Sequence, residues 1–286
     1  MIGGTRVDPG VSRLAVRLVA AGLVAASALA GAAPALAQFP APPPKRPVVA
    51  RTRVLPWSGG DRLGVAVDAD VQYVPGADNK VVITGPSDLI DDIVVDHGLI
   101  RHGEYGSWWR WWRWQWGWQR ARDVRIVVTA PHLSDVSVSG AGRLDLGHLA
   151  QDRLDLGLSG SGYVTASGQI KTLDLSVSGS GGAKFTGLNT TTMSVGLSGS
   201  GWVAATGTAD TLRLRVSGSG SGNFTGLALN DLDAGLSGSG SAKASPKRSA
   251  DVWVSGSGSV RLLTEPQHLN AHRSGSGRIM HPNEGT

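Results

Sequence analysis

The chain has 286 residues, a formal net charge of +5 and 41 glycines, which is roughly twice the usual share of glycine. This glycine content argues against a mainly helical fold, while 41% hydrophobic and 17% charged residues are enough to form a buried core. The chain has no cysteine, which excludes disulfides, thiol catalysis, cysteine-ligated metal sites and lipidation of an amino-terminal cysteine.

Residues 1–37 have the pattern of a secretory signal peptide. Three arginines precede an apolar run over residues 18–33, and the small-residue sequence Ala-Leu-Ala follows at residues 35–37. A membrane anchor is the alternative interpretation, although the run is short, alanine-rich and followed by a cleavage pattern. We therefore expect an exported protein of the periplasm or cell surface, whose mature chain begins at Gln38.

Residues 38–56 are rich in proline, which removes backbone donors and favours extended geometry, so we expect a linker there. The folded domain is then expected to occupy residues 57–286. Four candidate strands, separated by Pro-Gly, Gly-Pro and proline breaks, precede its repeats and are expected to form less regular coils. These candidate strands cover residues 63–74, 80–84, 93–101 and 123–129.

Residues 107–122, which we call the Trp/Arg-rich insert, hold seven of the ten tryptophans of the chain. Indole rings favour membrane interfaces and the faces of sugars, and arginine attracts phosphate, so the insert can contact an anionic lipid, lipopolysaccharide or a glycan. The alternative is a hairpin that covers an open edge or end of the fold. The candidate contact residues are Trp108, Trp109, Arg110, Trp111, Trp112, Arg113, Trp114, Trp116 and Trp118.

Residues 139–277 contain eight Ser-Gly-Ser-Gly motifs, the first of which reads Ser-Gly-Ala-Gly. They recur every 18 to 20 residues, and a period of this size indicates one structural unit per repeat, stacked on its neighbours. Before each motif apolar and polar residues alternate, as in Leu173-Asp174-Leu175, which indicates strands. The sequence therefore predicts an all-β fold, a single-chain parallel β-solenoid (β-helix) with about 19–20 residues per coil.

The same alternation predicts which side chains face the core. It places both glycines of each motif inside, both serines outside, and large and small residues at alternating inward positions. Phe185, for example, is expected between Ala166 and Ala205 of the adjacent coils, which keeps the layers similar in volume. The last repeat has Arg273 where the others have valine or leucine, so we expect a polar cap there.

The repeats resemble a known family. The segment DVRIVVTAPHLSDVSVSGAG, followed by LDLSVSGSG and GLSGSG units, is similar to the head GIN domain family of auto-transporter adhesins. The resemblance covers residues 57–280 and implies an exported, parallel β-helical (GIN-like) domain with an adhesin role and no catalytic residue. The Trp/Arg-rich insert departs from the family pattern.

A polysaccharide-active enzyme is the catalytic alternative. Asp135, Asp155 and Asp174 recur at one outward position of consecutive coils, about 5 Å apart, a spacing compatible with a retaining glycosidase pair or a calcium site. The competing interpretation is a solvated face on which basic residues relieve the repulsion between the carboxylates. Those basic residues are Arg143, Arg153 and Lys171.

The remaining motifs narrow the choice of function. The third glycine of the dinucleotide-binding pattern Gly-x-Gly-x-x-Gly is missing from every repeat, so no nucleotide cofactor is expected. The net charge is mild and export is expected, so no nucleic-acid partner is expected either. We expect a non-enzymatic, adhesin-like binding protein of the cell envelope without cofactor or metal ion. A purely structural envelope rod and the enzyme on the aspartate face are the alternatives.

Overall fold

The computed structural model describes residues 49–103 and 123–282. The predicted signal peptide and the Trp/Arg-rich insert lie outside these residues. The described part of the chain forms seventeen strands, which join in one hydrogen-bonded sheet, and one short helix. The elements are β1 (Ala50–Pro56), β2 (Arg62–Ala66), β3 (Asp70–Pro75), β4 (Lys80–Pro86), α1 (Ser87–Ile90), β5 (Ile93–Asp96), β6 (Leu99–His102), β7 (Arg125–Ala130), β8 (Asp135–Gly140), β9 (Arg143–Gly160), β10 (Tyr163–Gly179), β11 (Gly182–Gly199), β12 (Trp202–Gly218), β13 (Ser221–Gly238), β14 (Ser241–Gly256), β15 (Ser259–Leu262), β16 (His268–Ser274) and β17 (Arg278–Met280).

Each strand from β9 to β14 is one coil of a solenoid, 16 to 18 residues long and paired in parallel with the next coil. A register shift, such as the one between Phe185 and Leu188, divides each coil into two halves. We call the outer surface of the stacked first halves face A and that of the second halves face B. The parallel β-solenoid that the repeats predict is therefore confirmed.

Shorter strands build the amino-terminal end. On face A, β3 pairs in parallel with β7 and β9, whereas β4 pairs antiparallel with β7 and with β1. On face B, β2 pairs in parallel with β6 and β8, and β5 pairs antiparallel with β6. The parallel stack thus ends in antiparallel strands, with β1 and β5 at its edges.

The strands predicted upstream of the repeats differ from the observed ones in detail. The predicted strand of residues 63–74 is interrupted between β2 and β3, and that of residues 93–101 is the β5–β6 hairpin. Its turn residues His97 and Gly98 have φ angles of 45° and 82°, a local reversal that alternation of apolar residues does not reveal. Strand β1 lies within residues 38–56, so the end of the predicted linker pairs with β4.

The inward side chains of both halves form one continuous hydrophobic core. Phe185 is 1% exposed and pairs with Ala166 and Ala205 on the two adjacent coils, which confirms its predicted position. Phe224 has Gly222 beside it, and a β-carbon there would lie 2.7 Å from Cε2 of the phenylalanine ring. Large rings are thus accommodated by small neighbours, which keeps the packing dense.

The Ser-Gly-Ser-Gly motifs form one corner of every coil. The backbone N–H of Ser180 donates to the carbonyl oxygen of Gly160 at 2.9 Å, and the equivalent bond recurs from coil to coil. Gly199, the first glycine of its motif, has φ 107°, and a β-carbon there would lie 2.6 Å from the carbonyl oxygen of Gly179. The second glycines, such as Gly201, are buried as predicted, but the first glycines are not. The prediction for the first glycines is wrong because the corner turns at them, with positive φ and close backbone stacking.

The carboxy-terminal end is polar. Strand β16 covers the second half of β14, and six of its seven residues are exposed. Arg273 pairs with Val254, so the charged residue replaces the usual apolar one at an inward position of the last coil. The predicted polar cap is confirmed. In the part of the chain that the structure describes, no helix has the length and apolar character that crossing a membrane requires.

Candidate functional site

The predicted contact residues Trp108 to Trp118 lie outside the described residues, but the chain on both sides of the insert is placed. The backbone N–H of Gly103 donates to the carbonyl oxygen of Asp92 at 2.7 Å. On the other side, the N–H of Asp70 donates to the carbonyl oxygen of Val124 at 3.1 Å. Both flanks are therefore fixed to the short strands at the amino-terminal end of the solenoid.

Exposed apolar side chains lie on the strands of the same end. Val94 on β5 is next to Gly103, the last described residue before the insert, since a β-carbon at Gly103 would lie 3.4 Å from its Cγ2 atom. Leu99 on β6 is 39% exposed and Val54 on β1 is 63% exposed. These valine and leucine side chains add apolar surface to the amino-terminal end of the solenoid.

Arg53 closes this end of the core. Its Nη1 atom donates to the carbonyl oxygens of Ile90 at 2.5 Å and Ile93 at 3.1 Å, which joins edge strand β1 to edge strand β5. Both isoleucines are buried. This side chain thus connects the two faces and provides a hydrogen-bond donor for two backbone carbonyl oxygens at the end of the core.

The aspartates of face B are neutralised by arginines. The Arg153 guanidinium donates to both carboxylate oxygens of Asp155 at 3.0 Å and to Asp174 at 2.9 Å. Asp135 lies 3.8 Å from Arg62. These carboxylates are solvent-exposed and held by cations, as in the solvated-face interpretation. Within residues 49–103 and 123–282, no three acidic or histidine side chains are arranged to hold a metal ion.

Only one of the three basic residues predicted to relieve the aspartates does so. Arg153 bridges two of them, but Lys171 pairs with Asp152 at 2.7 Å. Arg143 lies on face A, where its guanidinium carbon is 5.6 Å from the centre of the Tyr163 ring. The prediction is wrong for both residues, because Lys171 pairs with an aspartate outside the column and Arg143 lies on the other face.

Face A carries an aromatic cluster that the sequence motifs did not indicate. The rings of Tyr163 and Trp202, which we call the aromatic platform, have centroids 5.6 Å apart and planes inclined by 39°. Gly182 lies between them in the register, and a β-carbon there would overlap the indole ring. The signal was present in the repeats: two aromatic residues share one outward position two coils apart, with glycine on the coil between them.

These observations define the class of protein: a parallel β-solenoid whose coils present regular columns of side chains to solvent. The family model described as "Putative auto-transporter adhesin, head GIN domain" matches residues 61–187 and 168–266. Together the two matches span well over half of the chain. The chain therefore belongs to this family. No curated protein matches it significantly.

Solved structures share the fold. A "putative lipid binding protein" from Parabacteroides distasonis ATCC 8503 has 21% identity and a TM-score of 0.70, with 81% of this chain and 96% of that chain covered. A "putative adhesin" from Bacteroides fragilis NCTC 9343 has 20% identity and a TM-score of 0.59, covering 82% and 97%. A "putative adhesin" from Parabacteroides distasonis ATCC 8503 has 17% identity and a TM-score of 0.68, covering 82% and 98%. At these identities the likeness establishes a common architecture.

Proposed function

We propose that the protein is an exported, non-catalytic binding protein of the cell envelope that contacts an anionic lipid, lipopolysaccharide or glycan surface through the Trp/Arg-rich insert. The family to which it belongs has an adhesin description, and one protein of the same fold is described as lipid-binding. Export is supported by the signal-like pattern of residues 1–37. The neutralised aspartates of face B support a role in binding rather than in hydrolysis.

The composition of the insert is the observation that carries the proposal. Seven indoles and four arginines lie within residues 107–122. Seven indoles exceed what one coil of about twenty residues can bury, and exposed indoles favour an interface. The interleaved arginines attract anionic groups at that interface, so the indole and guanidinium contributions act on the same surface.

The surroundings of the insert support the same conclusion. Its flanks are hydrogen-bonded to the amino-terminal end of the solenoid, where Val54, Val94 and Leu99 are exposed. The described residues of this end include both aspartates, such as Asp92 and Asp96, and basic residues, such as Arg51 and Arg101. The concentrated positive charge that attracts an anionic surface is therefore that of the four arginines in the insert.

Co-sedimentation of the mature protein with vesicles and lipopolysaccharide tests the proposal. We expect the variant with Trp111, Trp112, Trp114 and Trp116 replaced by alanine to lose association with vesicles containing phosphatidylglycerol and with lipopolysaccharide. The binding of the wild-type protein should weaken as salt rises, because part of the attraction is electrostatic. The matched control is Trp253→Ala, which removes an indole that is 61% exposed on face B and should leave association unchanged.

Equal association of the wild-type protein and the four-tryptophan variant would contradict the proposal. Circular dichroism and thermal melting of both proteins show whether the solenoid stays folded. If the variant unfolds, the insert covers the end of the fold, as in the alternative interpretation.

A further inference from the structure

Most basic residues on the strands of face B have acidic partners, although Arg213, for example, does not, whereas those of face A from β11 onward have none among the described residues. On face B, Arg153, Arg215 and Arg248 are each paired with aspartates of their own or adjacent coils. Face A carries four basic residues from β11 onward, and within the described ranges none of these four forms an ion pair. We call these four residues the cationic strip, and they are Lys184, Lys243, Arg261 and Arg278.

The cationic strip begins beside the aromatic platform. Lys184 follows Gly182 by two residues on β11, so both belong to the outward side of one strand. The strip crosses β11, β14, β15 and β17, which pair in parallel through β12 and β13. Five steps of about 4.8 Å give the strip a length of about 24 Å. In the described strands from β11 onward, no aspartate or glutamate points out of face A.

Hydroxyl and amide groups border the cationic strip. Ser221, Ser241 and Ser259 are aligned in register on consecutive strands, and Asn223 is aligned with Lys243. At the other side of the platform, the Thr165 hydroxyl donates to the Asp145 carboxylate at 2.6 Å. Face A thus combines the exposed Trp202 ring of the aromatic platform, cations without ion pairs and a column of serine hydroxyls on one surface.

We infer that face A binds an acidic polysaccharide. One sugar ring stacks on the aromatic platform, the cationic strip pairs with carboxylate or sulfate groups further along the glycan, and the serine column bonds to its hydroxyls. The charge of the strip complements that of such a chain, and the repeat of the coils matches an extended polymer. The residues proposed for this surface are different from those of the Trp/Arg-rich insert.

The geometry favours a saccharide over a membrane or a peptide strand. Trp202 is only 38% exposed because its ring lies over Gly182 against Tyr163, so it presents a ring face and cannot insert into a bilayer. An added peptide strand needs an open sheet edge, but β10, β11 and β12 are paired on both sides. A sugar ring that stacks on the indole requires neither insertion into a bilayer nor an open sheet edge.

Titration calorimetry of the mature protein with alginate, a polyuronate, tests the inference, and neutral dextran is the matched probe without charge. We expect Trp202→Ala to weaken alginate binding about tenfold, as truncation of a central aromatic contact does. Gly182→Ser should weaken it too, because the added side chain displaces the indole ring. The pair Lys243→Gln and Arg261→Gln should weaken binding and reduce its salt dependence.

Three control variants test whether alginate binding depends on face A. Trp253→Ala removes an exposed indole from face B, and Gly196→Ser adds a side chain where a β-carbon would only lie 3.8 Å from a backbone oxygen. The four-tryptophan variant of the insert separates this inference from the proposed function. All three should bind alginate like the wild-type protein, with unchanged circular dichroism.

Several results would overturn the inference. These are absence of alginate binding by the wild-type protein, equal binding of dextran, and equal alginate affinities of Trp202→Ala and Trp253→Ala. If alginate binding is lost in the four-tryptophan variant, the glycan contacts the insert instead. Binding of anionic vesicles or of a dT12 oligonucleotide that depends on Trp202, without binding of alginate, would assign face A to another class of partner.

Discussion

Glycine is required at three kinds of position in this chain, and at each of them a β-carbon would contact a particular neighbouring group. At Gly199 the corner requires positive φ and a close approach to Gly179 of the coil before. At Gly222 the missing side chain leaves room for the inward ring of Phe224, and at Gly182 it leaves room for an outward indole. The corner glycines stabilise every coil, whereas Gly182 shapes only the surface around the outward indole.

The inward position of Phe185 leads to a stability prediction. Replacement by alanine should destabilise the protein by about 3–5 kcal/mol, because the alanines on both adjacent coils cannot fill the cavity. The control is Lys184→Ala, one residue earlier and exposed, which should be nearly neutral. Chemical denaturation measures both, and equal midpoints for Phe185→Ala and the wild-type protein would show that the inward assignment is wrong.

At the scale of the element, side-chain ladders tie adjacent coils together where the register shifts. Arg248 on β14 is bonded to both carboxylate oxygens of Asp231 on β13, one of them at 2.9 Å, and Ser249 donates to the same carboxylate at 2.7 Å. Asn230 continues the ladder by donating to Asp210 on β12 at 2.7 Å. Backbone pairing between β13 and β14 is irregular at this corner, so the bonds from Arg248 and Ser249 fix the position of β14 on β13.

The ladder predicts a pH dependence. The hydrogen bonds from Arg248, and then from Ser249, hold the pKa of Asp231 below its usual value. A lowered folded-state pKa stabilises the protein above the unfolded pKa of about 3.9, and this contribution is lost as pH falls through the lower folded value. The stability difference between the wild-type protein and Asp231→Asn should therefore be largest near neutral pH and shrink below about pH 4.

Denaturation midpoints between pH 7 and pH 2 measure that difference. Asp251→Asn is the control, since Asp251 is exposed on face B and accepts no hydrogen bond from a described side chain. A stability difference for Asp231→Asn that stays constant down to pH 2 would contradict the role given to this carboxylate.

The regular strands could be predicted from the repeats, whereas the irregular strands at the amino-terminal end could not. Alternation around Leu173 and Leu175 reports burial directly, because every residue of a stacked strand faces either core or solvent. The β5–β6 hairpin has the same apolar content as a strand, and its reversal depends on the backbone of two residues, His97 and Gly98. Strand β1 was predicted as part of the linker. Its pairing with β4 is antiparallel and lies outside the repeat, so the repeat pattern does not indicate it.

At the scale of the whole molecule, the solenoid is a rigid support with two different ends and two different faces. The amino-terminal end bears the flanks of the Trp/Arg-rich insert, and the carboxy-terminal end is polar. On face B, Arg153, Arg215 and Arg248 are paired with aspartates, whereas the four cations of the strip on face A form no ion pair with described residues. The family resemblance and the insert could be predicted from the sequence, but this charge difference follows from contacts between coils that no motif records.

We propose that the insert itself contacts the envelope surface, and tryptophan fluorescence measures this contact most directly. In the variant Trp202→Phe and Trp253→Phe, the indoles that remain are the seven of the insert and the buried Trp57. We predict a blue shift and lower iodide quenching of its emission when lipopolysaccharide or phosphatidylglycerol vesicles are added, because the indoles leave water. Emission that stays unchanged while the protein co-sediments with the same surface would show that another part of the molecule makes the contact.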